Sequence, residues 1–193
     1  GTLSPSALST ATAISAMSSV LIHTVGSQSS GSISHQQISH CVTSGIQYLQ
    51  HQQNEDGGFG DTDRSHSNIA TSYLVLAASA LAGQAGCSTL TSETTSALNE
   101  YIRRLGKLDA LKERYGKDKT FVVPILTNMA IAGLVPWKTV AALPFEAAVF
   151  PQSMYRMLQM PVVSYAIPAL VAIGQARHFH GPKAFFPVRL IRA

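Results

Sequence analysis

The sequence predicts an all-α protein of helical hairpins, an α-helical array or toroid. Three observations carry this. Apolar residues recur at three- and four-residue spacing in segment after segment. No run alternates apolar and polar residues for long enough to make a sheet. Glycine-rich turns and prolines separate the apolar stripes, so the stripes belong to helices that fold back on one another.

The elements follow in order. Ser4 and Pro5 read as the cap and first-turn proline of a first helix. Leu8, Ala11, Ile14, Met17 and Leu21 line its face. Residues 25–34 form a Gly/Ser-rich loop, and Ser34 with Gln37 makes a capping box for the second helix. Ile38, Cys41, Val42, Ile46 and Leu49 are the second stripe. Ile69, Tyr73, Leu76 and Ala80 are the third, ending in the turn 83–86. Ala97, Leu98, Tyr101, Ile102 and Leu105 are the fourth. A further helix starts at Asp118 or Thr120, takes Pro124 in its first turn and stops at Gly133. Beyond it, Pro136, Pro144, Pro151 and Pro161 each fit a short helix start, while Pro168 kinks an apolar helix over 162–176.

Composition narrows the class. The 193 residues suit one domain, 1–193. With 46% hydrophobic and 12% charged residues the chain is not disordered, and its surface is either very apolar or meant to be covered. No apolar run reaches the roughly 18 residues of a membrane span. No lysine or arginine precedes Arg64, so the basic start of a secretory signal is missing. Cys41 and Cys87 are too few for a disulfide scaffold and fit a reduced, cytoplasmic setting. After Glu146 no acidic residue occurs, whereas Arg156, Arg177, Lys183, Arg189 and Arg192 follow. Such a basic, apolar run fits an anionic membrane surface, or a solvated end packed on its neighbour. The basic residues are not interleaved with exposed-looking aromatics, so no nucleic-acid partner is expected.

Chemistry concentrates in QNEDGGFGDTDRSHSN, residues 53–68. Asp61-x-Asp63-x-Ser65 opens like a calcium loop, but His66 stands where that loop needs glycine and Ser72 where it needs glutamate. His35, His40 and Cys41 do not share a helix face and make no zinc site. Gly57-Gly58-Phe59-Gly60 lacks the Lys-Ser/Thr ending of a phosphate loop. Cys41 beside His40 is not a dyad, because neighbours on a helix point about 100° apart. A structural joint remains. Gln53 accepts from one orphan backbone group and donates to another. Gly57 and Gly58 turn the chain, and Phe59 buries against helix ends. Asp61, Thr62, Ser65, Ser67 and Asn68 cap the next helix. No metal ligand, cofactor site or catalytic residue is expected.

Gly45-Ile46-Gln47-Tyr48-Leu49, then Gln53, then Gly57-Gly58-Phe59-Gly60 resembles the Gln-Trp repeat of squalene-hopene and related triterpene cyclases, with Phe59 in the tryptophan's place. A looser form of the repeat occurs in protein prenyltransferase β-subunits. Further on, 115–121, Val123-Pro124-Ile125-Leu126-Thr127, 132–137, Leu143-Pro144-Phe145-Glu146 and Pro161-Val162-Val163-Ser164-Tyr165 are similar to a bacterial squalene cyclase relative. The resemblance covers about 8–177. It implies the smaller, non-catalytic α-barrel domain of a class II cyclase, a peripheral protein on the inner face of the cell membrane. In that family two such domains enclose an aromatic cavity for a long isoprenoid such as squalene, where ring faces stabilise carbocations. By the same resemblance Tyr165, Ser164, Asn128 and Pro124 line that cavity, and Gly45, Tyr48, Leu49, Gln53, Gly57 and Phe59 form the structural motif. The family's acid, Asp-x-Asp-Asp, is not in this chain: Asp61-x-Asp63-Arg64 departs from it. The chain is therefore expected to be inactive alone. It reads as the N-terminal portion of such a cyclase, partnered by a catalytic domain or chain that carries Asp-x-Asp-Asp. The alternatives are a stand-alone helical module binding a prenyl lipid or partner helix, and a structural remnant without ligand.

Overall fold

The computed structural model describes residues 5–24, 34–115, 119–143, 145 and 167–182. Among them the chain is helical, with no strand. The described residues include seven α-helices: α1 (Ala7–His23), α2 (His35–Gln50), α3 (Ile69–Gln84), α4 (Ser92–Leu105), α5 (Lys107–Tyr115), α6 (Lys119–Ile131) and α7 (Ile167–His180). They fall into two compact units, Gly1–Leu134 and Val135–Ala193.

In the first unit α3 is the axis. It packs against α1, α2, α4, α5 and α6. Twelve of its sixteen residues are buried, which is the condition of a helix that is apolar all round. The expected single stripe was wrong here. Leu76 and Ala80, assigned to the inner face, are among the less buried residues of α3. Its buried hydroxyls hold the chain at either end. Ser72 Oγ accepts from the Phe59 amide at 3.1 Å and Ser79 Oγ from the Leu90 amide at 3.1 Å.

The outer helices show the expected amphipathic faces with four corrections. Ser6, not Ser4, caps α1, its hydroxyl accepting from the Ser9 amide. The buried face of α1 is Ala7, Ala11, Ile14, Ser15, Ser18 and Leu21, with Leu8 and Met17 at its margins. In α2 Val42, Ile46 and Leu49 are buried but Cys41 is exposed. The Ser34–Gln37 capping box is present, with reciprocal bonds of 3.2 and 2.8 Å. Gly45 lets α2 approach α1: a Cβ there would stand 2.9 Å from Ile14 Cδ1. In α4 Leu98, Tyr101 and Ile102 are buried, while Leu105 is exposed.

α5 lies where no stripe predicted a helix. Gly106 and Lys107 both take left-handed backbone, φ 99 and 58°, which breaks the helix after Leu105 and redirects it. α5 is mostly polar and anchors through fully buried Leu111. α6 carries Pro124 inside the helix rather than in its first turn. Proline has no N–H, so the Thr120 carbonyl loses its helical donor. The ends of α3 and α6 are alike. Gly86 and Gly133 have positive φ, and Cys87 and Leu134 donate back to Ala82 and Met129 at 2.9 Å, the double-bonded helix stop that favours glycine. Gln84 Nε2 donates to the Ala132 carbonyl at 2.9 Å and ties the two ends together.

In the second unit Pro136 precedes a single 3-10 turn, Trp137–Thr139. Arg177 Nε, on α7, donates to the Val140 carbonyl at 2.9 Å. Trp137 stacks on His180, with centroids 5.3 Å apart and planes 21° apart. A Cβ on Gly174 would lie 2.6 Å from Phe145 Cβ, so this glycine seats the Phe145 side chain. Pro168 lies in the first described turn of α7.

Candidate functional site

The joint 53–68 links α2 to α3, and its first half lies along α4. Gln53 Nε2 donates to the carbonyls of Gly57 at 2.9 Å and Thr94 at 3.0 Å. Gly57 has φ +83, and a Cβ there would sit 2.7 Å from the Ala97 carbonyl oxygen. A Cβ on Gly58 would be 2.7 Å from Tyr101 Cζ. Arg104 Nη2 donates to the Asp56 carbonyl at 2.5 Å. Thr94, Ala97, Tyr101 and Arg104 are spaced three, four and three apart, one stripe of α4. The loop is thus a splint on that stripe. The expected joint is there, but Gln53 donates to two carbonyls rather than bridging one donor and one acceptor.

Phe59 is fully buried, and its carbonyl accepts from the Asn68 amide at 2.9 Å. Asn68 caps α3, its Oδ1 accepting from the Thr71 amide at 2.9 Å. Ser67 does not cap: it donates to Asp56 Oδ1 at 2.6 Å and accepts from Asn54 Nδ2 at 2.8 Å. Asp61 does more than a cap. Its Oδ1 accepts from Asn68 Nδ2 at 2.8 Å and from the Thr71 hydroxyl. Its carbonyl accepts from Ser6 Oγ at 2.9 Å. One residue therefore pins the N-termini of α1 and α3 together. The sequence held the residue types for this hub but not its long-range partner.

An open depression of about 520 Å³ lies on the outer side of the joint, lined by Asn54, Glu55, Asp56, Asp63, Arg64, Ser65, His66 and Ser67. Its acids are exposed. An acid that protonates an alkene has to be shielded from water, and these groups are exposed. Among the described residues no cluster of His, Cys, Asp and Glu could hold a metal ion. Beneath the joint Tyr48 is half-buried, and its hydroxyl oxygen is buried without a hydrogen-bond partner. Burial, and then the negative charge of Asp63, push the Tyr48 hydroxyl up from its ordinary range. Leu49, one residue on, is fully buried.

The cavity residues implied by the resemblance divide. Ser164 and Tyr165 lie outside the described residues. Pro124 and Asn128 share a face of α6 with Ile131, at four- and seven-residue spacing. Pro124 is exposed, Ile131 is 44% exposed, and Asn128 is half-buried with Oδ1 buried and unpartnered. The opposite face, Val123, Leu126, Met129 and Ala130, is buried.

Fold and site define an all-α protein whose best-built feature is a helix joint. Comparison with protein-family models, curated proteins and solved structures finds no match to the chain. No helix among the described residues is long and apolar enough to cross a membrane.

Proposed function

We propose that this chain is the non-catalytic portion of a squalene-hopene-type terpene cyclase, helping to wall an isoprenoid cavity and supporting a catalytic domain that carries Asp-x-Asp-Asp. An α/α toroid-type arrangement of its hairpins belongs to the same reading. The observation that carries it is the Gln53–Phe59 joint. Within the Gln-Trp-like repeat, Gly45 admits Ile14, Gln53 bonds Thr94, Gly57 clears Ala97 and Phe59 fills the core. Each of these residues therefore has a structural role of its own. The α6 face bearing exposed Pro124 and Ile131 with Asn128 between them supports the reading as a second surface, one interrupted by a polar amide. The chain itself lacks Asp-x-Asp-Asp, so the part proposed for it is shape and support.

Two measurements test the proposal. Coding sequence that continues or adjoins this chain and encodes Asp-x-Asp-Asp is the expected finding; a locus without one overturns the cyclase assignment. Purified chain should show an upward thermal shift with squalene or shorter prenyl lipids, reduced by Asn128→Arg on the α6 face. A shift without a catalytic partner at the locus favours the stand-alone prenyl-lipid module.

A further inference from the structure

The bend between α4 and α5 is strained, and the space around it does not enforce it. α4 ends at Leu105 and α5 begins at Lys107, so Gly106 alone separates them. Gly106 and Lys107 both lie in left-handed backbone. Glycine takes this conformation freely. Lys107 does not, and among the described residues it is the one non-glycine with positive φ. The bend is also at the surface. Leu105, Gly106 and Lys107 are all exposed, and a Cβ on Gly106 would meet only Ala110 Cβ, at 3.7 Å.

The sequence on both sides favours one continuous helix. Arg103, Arg104 and Leu105 before the bend, and Leu108, Ala110 and Leu111 after it, are strong helix formers. With Gly106 and Lys107 in right-handed backbone, α4 and α5 join into a single helix over 92–115. Leu98, Tyr101, Leu105 and Leu108 then stand three, four and three apart, on one stripe. Leu105, 44% exposed in the bent chain, gains apolar neighbours along that stripe. Straightening has one large penalty. It draws fully buried Leu111 and the buried face of α6 away from α3.

A second copy that straightens in the same way removes that penalty, because it leaves an identical site open. We propose that the chain forms a dimer by exchanging everything after Gly106, with the α4–α5 bend as the hinge. Leu111 and α6 of each copy fill the place vacated by the other's. The buried contacts are those of the monomer, and the left-handed strain at Lys107 is gone. Lost translational freedom opposes association, so the balance of monomer and dimer follows concentration. The inference stands on this bend and does not depend on the cyclase reading.

The test uses the full chain, with its mass measured by light scattering behind size-exclusion chromatography over a wide concentration range. Gly106→Ala adds left-handed strain to both monomers and should tighten dimerisation roughly thirtyfold or more. Lys107→Gly relieves it and should weaken dimerisation by a similar factor. A cross-link separates exchange from side-by-side association. Gln84 Nε2 bonds the Ala132 carbonyl, so the ends of α3 and α6 are adjacent. Exposed Gln84 and Ile131 are replaced, as Gln84→Cys and Ile131→Cys, in a Cys41→Ser, Cys87→Ser background and treated with a short bismaleimide. In an exchanged dimer the link joins two chains and a denaturing gel shows a covalent dimer; otherwise it closes within one chain. The proposal is overturned if folded Gly106→Ala stays monomeric, or if its dimer cross-links only within chains. If Gly106→Ala loses its helical circular dichroism spectrum, the wild-type hinge in the same cysteine background decides at the highest concentration. No interchain product there overturns the proposal, and an interchain product that Lys107→Gly diminishes upholds it.

Discussion

Gln53 and Thr94, 41 residues apart, are joined by a 3.0 Å hydrogen bond from the Gln53 amide nitrogen to the Thr94 carbonyl. The same nitrogen holds the Gly57 carbonyl. One side chain thus closes its own loop and fastens it to α4. Gln53→Leu removes both donors while keeping bulk and should cost about 1–3 kcal/mol of stability. Gln53→Glu should be at least as harmful, since a carboxylate then faces two carbonyl oxygens. Urea unfolding of the pair checks this; a Glu variant as stable as wild type rules out the donor role.

Two glycines with similar backbone separate strain from contact. Gly57 and Gly86 both have positive φ, 83 and 74°, but a Cβ at Gly57 meets the Ala97 backbone while one at Gly86 meets nothing within 4 Å. Gly86→Ala should cost about 1–2 kcal/mol, the left-handed penalty alone. Gly57→Ala should cost clearly more, because a helix carbonyl cannot move aside cheaply. Equal losses in chemical denaturation mean that the splint does not press on α4.

Phe59 is the core of the joint. Phe59→Ala should cost about 3–5 kcal/mol through lost burial and the cavity left behind. Phe59→Trp, which restores the ring of the repeat it resembles, should still cost about 1–3 kcal/mol, because the site is already filled. Thermal unfolding of both variants ranks them; a more stable tryptophan variant shows spare volume at this position.

Asp61 holds two helix starts. Asp61→Ala leaves Asn68 Nδ2 and the buried Thr71 hydroxyl without their acceptor, at a cost of about 2–3 kcal/mol. Ser6→Ala should remove about 1 kcal/mol by uncapping α1. Ser6 reaches Asp61 through its backbone carbonyl. The two losses should therefore add within error in a double-mutant cycle, unless Asp61→Ala also shifts the loop.

Alkaline pH probes α3. Burial, and then Asp109, push the Tyr73 hydroxyl up to about 12 from an ordinary value of 10.0. The folded-state value is raised, so the unfolded chain ionises first. The stability this provides is complete below pH 10 and is lost as pH rises from there through about 12. Stability should fall by about 2–3 kcal/mol across that window. Tyr73→Phe should flatten that arm of the pH–stability curve. An absorbance titration of wild type with no tyrosine ionising late would remove the basis for this expectation.

The helical class, the capping box of α2, the glycine helix stops and the joint were legible in the sequence because each is written locally. A serine three residues before a glutamine at the start of an apolar stripe marks a helix start, as Ser34 and Gln37 do. Gln53, Gly57, Gly58 and Phe59 marked the joint for the same reason. α5 was not legible. A polar segment with Leu111 as its fully buried anchor has no stripe, and it is helical because α3, α4 and α6 lie beside it. The central place of α3 was misread as a single face. Thr71, Ser72 and Ser79, outside that face, are buried as well, each bonded to a loop or to Asp61.

The sequence by itself determined that this protein is helical, where several helices start and stop, and that residues 53–68 form a joint between two helices. Those are matters of backbone preference and spacing, which act over a few residues. Only the tertiary structure decided which partners the joint takes: Thr94 and Ala97 for its glutamine and glycine, Ser6 for Asp61, Trp137 for His180. Such pairings depend on how close two helices come, and that distance is set by packing across the whole core.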